Sequence, residues 1–245
     1  SSSAVQRRSR RRCSCASARP TIGSAMPARQ PLCSGGSEAR LKLTHIQRAL
    51  DPTLAYRFAC RVGMCGSCAM TVNGVPRWTC RTHVDKVYKD ALEIAPLRNL
   101  PVIRDLVTDM RKFFDKWARA KGSFEGSRTR HDDFAVISSE NKKRKEVDAA
   151  IECIGCAVCY SACAVVAANP DYLGPAALNR AWTLVNDVRD AARAERLRAV
   201  SGDAGCHTCH THLACTERCP KQLSPTASIA GLKRATALAL LKGEL

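Results

Sequence analysis

Two cysteine runs decide how this chain folds: "CIGCAVCYSAC", residues 153 to 163, and "CHTCHTHLACTERCP", residues 206 to 220. In the first, Cys153, Cys156, Cys159 and Cys163 are separated by two, two and three residues. That is the bacterial ferredoxin spacing, in which three thiolates hold one iron-sulfur cluster and the fourth reaches across to another. A partner run is therefore required. Laid on the same template, the second stretch gives Cys209, His212, Cys215 and Cys219, closed by Pro220, so that a histidine stands at one cysteine position.

The cross-over rule then divides the ligands. Cys153, Cys156 and Cys159 take Cys219 and complete a [4Fe-4S] cluster, while Cys163, Cys209 and Cys215 supply only three thiolates, which suits a cubane lacking one iron, [3Fe-4S]. Two alternatives stay open: His212 itself ligates, as imidazole does in Rieske centres, or Cys206 completes a second four-iron cluster.

A third group lies upstream in "CRVGMCGSCAMTVNGVPRWTC": Cys60, Cys65 and Cys68, then Cys80. Cys-x4-Cys-x2-Cys with one distant fourth cysteine is the plant-type [2Fe-2S] spacing. Gly63 and Gly66 let a tight loop curl so that three thiolates converge. Asn73-Gly74 predicts a type I′ hairpin that returns Cys80 to the loop. Zinc accepts four cysteines as well, but this spacing is unusual for it.

The rest of the chain is consistent with that emphasis on metal. Of 15 cysteines in 245 residues, only Cys13, Cys15, Cys33 and Cys206 fall outside the three groups, which excludes a scattered disulfide framework. The net charge is +17, but residues 1–37 hold seven arginines and no acid, so much of the excess sits in a Ser/Arg-rich tail. Such a segment has the composition of an organelle transit peptide, and a truncated or misassigned start fits it equally. The run "NKKRK", Asn141 to Lys145, reads as a solvated linker, and no nucleic-acid partner is expected. No apolar run approaches the roughly 18 residues of a membrane span; the longest near the end is Ala237 to Leu241.

With all three groups in view, the chain resembles the iron-sulfur subunit of succinate dehydrogenase and fumarate reductase. The likeness runs through "DPTLAYRFACRVGMCGSCAM", "LPVIRDLVTDM", "NPDYLGPAAL", "DVRD" and "CPKQLSPT", and covers roughly Arg40 to Leu245. It implies an electron-transfer subunit of EC 1.3.5.1 set between an FAD-containing flavoprotein, where the dicarboxylate chemistry lies, and a membrane anchor where quinone binds. No catalytic acid, base or nucleophile is then needed here. The subunit would lie peripherally, held by its partners, on the cytoplasmic face of a bacterial membrane or the matrix face of the mitochondrial inner membrane. Three positions are implied as quinone contacts: His210, Lys233, and Ala168, which stands where many succinate dehydrogenases carry Trp. That exchange leans toward the fumarate reductase branch. The alternative is a cluster-bearing carrier for a different flavin-dependent dehydrogenase, though such relatives normally keep four cysteines in each run.

The fold expected is α+β. Residues 40–105 form a plant-type, β-grasp-like ferredoxin domain and residues 106–245 an all-α bacterial-ferredoxin-like domain, preceded by the basic segment 1–39. The family's opening pair of strands finds no counterpart in that segment, so part of the first sheet is absent or supplied differently. A short helix is expected near Leu41 to Leu50, a last strand at "ALEIAP", and a helix of about five turns from Val102 through Trp117. Lys121 to Lys145 reads as a connector, and "GPAALNRAWTLVNDVRDAARAERL" and "SPTASIAGLKRATALALLKG" read as helices.

Overall fold

Asn73 and Gly74 take φ of 48° and 77°, the paired left-handed conformations of a type I′ turn. They join β2 (Ala69–Val72) to β3 (Val75–Trp78), with Ala69 opposite Trp78 and Val72 opposite Val75. The structure, a computed structural model, describes residues 11–13, 38–88 and 91–245. The transit-segment reading lies almost wholly outside those residues. What is described of the tail is one strand, β1 (Arg11–Cys13), which takes the edge of a four-stranded sheet in the order β1, β4 (Leu92–Ala95), β2, β3. Every pairing in it is antiparallel. Helix α1 (Ala39–His45) continues into a π-helical turn, Ile46–Leu50, and α2 (Val84–Val87) follows the hairpin. Ala39 and Leu43 from α1 pack on Met70, Val72, Leu92 and Ile94 of the sheet to make a first core.

One expectation fails here. The apolar stretch from Val102 is not a five-turn helix but a hairpin, β5 (Val102–Arg104) and β6 (Val107–Thr108), followed by α3, which is confined to Arg111–Arg119. Asp105 turns the chain at φ 46°. Its Oδ2 accepts the Ala55 N–H at 2.9 Å, and the next N–H, of Leu106, donates to the Ala55 carbonyl at 3.2 Å. The β-branched Val102, Ile103, Val107 and Thr108 suit that extended backbone. Val102 and Ile103 are exposed, whereas Leu106 joins the first core.

After a connector, α4 (Lys142–Val147) begins on an Asn141 side chain that caps the Arg144 N–H at 3.1 Å. "NKKRK" is therefore a capped helical turn rather than linker, because Val147 gives it one buried side. Then come α5 (Val158–Ala162), α6 (Ala164–Ala168), α7 (Pro175–Val185), α8 (Arg193–Ser201), α9 (Ala214–Glu217) and α10 (Pro225–Leu241). Helix α10 opens with Ser224 capping the Ala227 N–H and packs along α7 and α8. The second core joins Leu178, Ala181, Leu197, Val200, Ile229 and Leu232 to Cys68, Trp78 and Cys80 of the sheet unit. The two units thus share one interior.

A fully buried ion pair fastens the turn between α7 and α8. Arg196 donates through Nη2 to Asp190 Oδ2 at 2.6 Å and through Nε to Oδ1 at 3.1 Å, with both side chains at 0% exposure. Arg196 Nη2 also reaches the Ser123 carbonyl, and Asp190 accepts the Glu125 N–H, so the pair clamps the connector as well. Removing one partner strands the other charge in the interior. Asp190→Ala is expected to cost about 3–5 kcal/mol in urea unfolding. The Asp190→Ala/Arg196→Met double variant should recover part of that loss.

Candidate iron-sulfur sites

The Cys60–Cys68 loop turns its amides toward sulfur. Cys60 Sγ accepts the N–H groups of Met64 and Cys65, both at 3.2 Å, while Cys65 Sγ accepts that of Cys60 at 3.5 Å. Backbone donation from Val62, Met64 and Cys65 holds the Cys60 thiol down at about 6, so it is largely thiolate at neutral pH. Cys80, two residues past β3, is buried, and burial together with the Cys68 thiol pushes it up to about 12. A thiol so placed is costly to ionise without a cation to meet the charge. Cys65 and its neighbours Val62 and Met64 face solvent.

Cys153, Cys156 and Cys159 line one pocket together with Cys219, and the remaining walls include Ile154, Ala157, Leu223 and Pro225. Left-handed Gly155 and Ala157 (φ 65° and 60°) fold the first three around it. Burial, and then the neighbouring thiols, raises Cys156 to about 11 and Cys159 well above the ordinary thiol range. Cys163, Cys209 and Cys215 form the other set. Burial raises Cys163 first, Cys215 and Cys209 add to the rise, and the Val166 and Val165 N–H groups at the start of α6 oppose it. The Thr211 N–H donates to Cys209 Sγ at 3.4 Å, and Thr226 Oγ1 lies 3.3 Å from Cys215 Sγ. Among the described residues, no three His, Cys, Asp or Glu side chains close on a single ion position. Soft, mutually repelling sulfurs gathered in these sets, four of them around one largely apolar pocket, are a donor set that fits iron-sulfur clusters.

His212 is exposed, its ring 6.1 Å from that of His210, whereas Cys206 is buried with its sulfur 3.8 Å from Thr236 Oγ1. Lys233 Nζ donates to the Cys209 carbonyl at 2.7 Å, which brings it beside exposed His210. Ala168 is also exposed, at the end of α6. Sequence reasoning missed two buried groups nearby. Lys116 is 2% exposed, donates to the Tyr172 carbonyl at 2.6 Å and stands over the Tyr160 ring, and burial lowers it to about 8. Tyr172 is raised by burial and by its contact with Cys209. Helical periodicity places Lys116 on a charged face, and nothing in sequence marks it as interior.

Comparison with known proteins bears on the same residues. Residues 38–115 match the family model described as "2Fe-2S iron-sulfur cluster binding domain", and residues 149–223 that described as "4Fe-4S dicluster domain". The fumarate reductase iron-sulfur subunit of Mycobacterium tuberculosis is 38% identical, over 82% of this chain and 81% of its own. The chain belongs to the succinate dehydrogenase and fumarate reductase iron-sulfur subunits. The succinate dehydrogenase iron-sulfur subunit of Paracoccus denitrificans is also 38% identical, over 78% of this chain and 73% of its own. A chain of the Mycobacterium smegmatis Sdh1 complex in the apo form superposes with a TM-score of 0.72 at 28% identity, covering 82% of this chain and 85% of that one.

The two parts of this iron-sulfur subunit meet at Gly66. It holds φ of 71°, and a Cβ there would lie 2.5 Å from Cys156 Cβ. Gly74, at φ 77°, has nothing within 4 Å of such a Cβ. Gly74→Ala should therefore cost only the conformational penalty, about 1 kcal/mol, while Gly66→Ala should cost clearly more and lower the iron content of the purified chain. Thermal unfolding and iron analysis of the two variants side by side check this.

Proposed function

We propose that this chain is the electron-transfer subunit between an FAD-containing flavoprotein and quinone at a membrane anchor, in a succinate dehydrogenase or fumarate reductase complex. The observation that carries the reading is the interlocked cysteine pattern, in which Cys219 enters the pocket of Cys153, Cys156 and Cys159 while Cys163 leaves it. Cys60, Cys65, Cys68 and Cys80 are read as ligands of [2Fe-2S], the four-cysteine pocket as that of [4Fe-4S], and Cys163, Cys209 and Cys215 as those of [3Fe-4S]. Bound clusters supply a series of one-electron carriers.

The chain's own residues do the rest. The amides of the Cys60 loop stabilise thiolate charge, and the exposure of Val62, Met64 and Cys65 leaves a docking face for the flavoprotein. Lys233 and His210, gathered at Cys209, are the groups read as meeting quinone at the opposite end, with Ala168 on the neighbouring short helix. A cation and a protonatable ring there would offset charge on reduced quinone. No helix among the described residues is long and apolar enough to cross a membrane, which supports attachment through an anchor subunit. The side read for it is the cytoplasmic or matrix face, the reducing side where exposed clusters and unpaired thiols survive. The sheet unit, expected over residues 40–105, is read as an incomplete β-grasp ferredoxin domain that also takes in the β5–β6 hairpin through Thr108, and the residues that follow as the helical one.

Electron paramagnetic resonance of the complex as isolated should give an oxidised-state [3Fe-4S] signal, with about nine irons per chain. His212→Cys should abolish that signal and raise the iron content by one atom. Absence of the signal from the unmodified protein would instead assign His212 or Cys206 as a fourth ligand and favour the alternative carrier.

A further inference from the structure

A cleft of about 500 Å³ opens at the seam between the two parts of the molecule, with Val62 and Gly63 of the Cys60 loop on one side and Pro220, directly after Cys219, on the other. Its remaining walls are strongly basic. Arg77 comes from β3, Arg81 directly follows Cys80, and His83 and Lys86 come from the start and the body of α2. Among the described residues, neither Asp nor Glu lines it. Glu38, bridged to His83 through the backbone, already pairs with Arg40 at 3.4 Å.

The cations are held in place without a counter-charge. Arg81 donates through Nη2 to the Val62 carbonyl at 2.8 Å, which fixes its guanidinium against the Cys60 loop. Arg77 is half-buried, and its Nε is a buried donor that no acceptor meets. Burial, and then the nearby Arg218, lowers the Arg77 guanidinium from its ordinary range, so like charges crowd this corner. A buried donor left unpaired costs free energy that an incoming acceptor recovers, and the arginine fork matches a carboxylate. Exposed Val62 and Met64 give the same face apolar surface. Arginine beside exposed apolar groups suits contact with a protein rather than with a free polyanion.

We propose that this cleft seats a carboxylate-bearing segment of the flavoprotein subunit, whose Asp or Glu side chains pair with Arg77 and Arg81 and lie beside Lys86. This rests on the reading of the exposed Cys60-loop face as the flavoprotein's docking face, with which the cleft is continuous through Val62. Complementary charge of this kind steers encounter and fixes register, so the cleft sets how the flavoprotein is seated over the [2Fe-2S] loop.

The test uses the purified complex. Flavoprotein release on dilution, counted by mass photometry, should increase with ionic strength in the unmodified protein. Arg77→Glu/Lys86→Glu should raise the dissociation constant about tenfold or more at low salt and flatten the salt dependence. Lys86→Glu alone, at an exposed position, should act in the same direction without disturbing the fold, and the reduced [2Fe-2S] signal should be unaltered in it. Lys143→Glu, an equal charge reversal on α4, should change neither affinity nor salt dependence. Carbodiimide, which joins an amine to a carboxylate in contact with it, should couple Lys86 to an Asp or Glu of the flavoprotein. Unchanged release in the Arg77 and Lys86 variants, an equal effect from Lys143→Glu, or coupling of Lys86 to the anchor or to a second copy of this chain overturns the proposal. If the flavoprotein cross-links to the Cys60-loop face while these results are null, the cleft alone is misassigned; if it cross-links elsewhere on the chain, the docking reading falls with it.

Discussion

Cys219 has to arrive beside Cys153, Cys156 and Cys159, and most of the helical half exists to bring it there. The two runs are separated by α7 and α8, and neither run can line a complete four-sulfur pocket alone. Packing α10 along α7 and α8 fixes where the second run sits relative to the first. The short helices α5, α6 and α9 are too brief to be stable by themselves and are held by tertiary packing. Left-handed Ala157 and Leu213, at φ 60° and 61°, immediately precede α5 and α9, so equivalent points of the two runs carry the same backbone turn. The pseudo-symmetry implied by the spacing is thus repeated in the main chain.

A second constraint is close approach. Electron transfer needs the two parts to stay near one another, and the shared interior does this at small, specific points rather than through a broad interface. Gly66 against Cys156 brings the two loops into van der Waals contact, and Trp78 rests a ring edge on Gly63 while lying in the interior that the two parts share. Asn99 reinforces the join: its Nδ2 donates to the carbonyls of Tyr160 and Cys163 at 3.1 and 3.2 Å, and the Arg98 N–H donates to Ser161 Oγ at 2.8 Å. These bonds fix the turn that carries the chain from Cys159 to Cys163, and they come from the far end of the sheet unit. Domain identity and cofactor position are therefore coupled.

Much of this was legible in sequence because it depends on local spacing. The cysteine intervals and the Asn73-Gly74 turn are set by geometry within a few residues. The failures share the opposite property. Val102 to Trp117 fits a helical period, yet Asp105 and Leu106 pair with Ala55, roughly fifty residues earlier, and that long-range contact overrides the local pattern. Lys116 and Arg196 read as surface charges, yet each is buried because a distant carbonyl or carboxylate meets it: Tyr172 for the lysine, Asp190 and Ser123 for the arginine. Trp78 reads as an ordinary strand aromatic. Its unpaired N–H becomes visible only once the partner unit is folded against it.

The electrostatics of the thiols tie these points together. Except at Cys60, where amides favour the thiolate, burial holds Cys80, Cys153, Cys156, Cys159, Cys163 and Cys215 toward their neutral forms. Ligation must deprotonate them, so metal binding releases protons and binding free energy becomes folding free energy. An apolar pocket makes that exchange one-sided: sulfurs that repel one another when ionised are held together once iron supplies the opposing charge. The surroundings that make the metal-free thiols reluctant acids therefore make a bound cluster hard to lose.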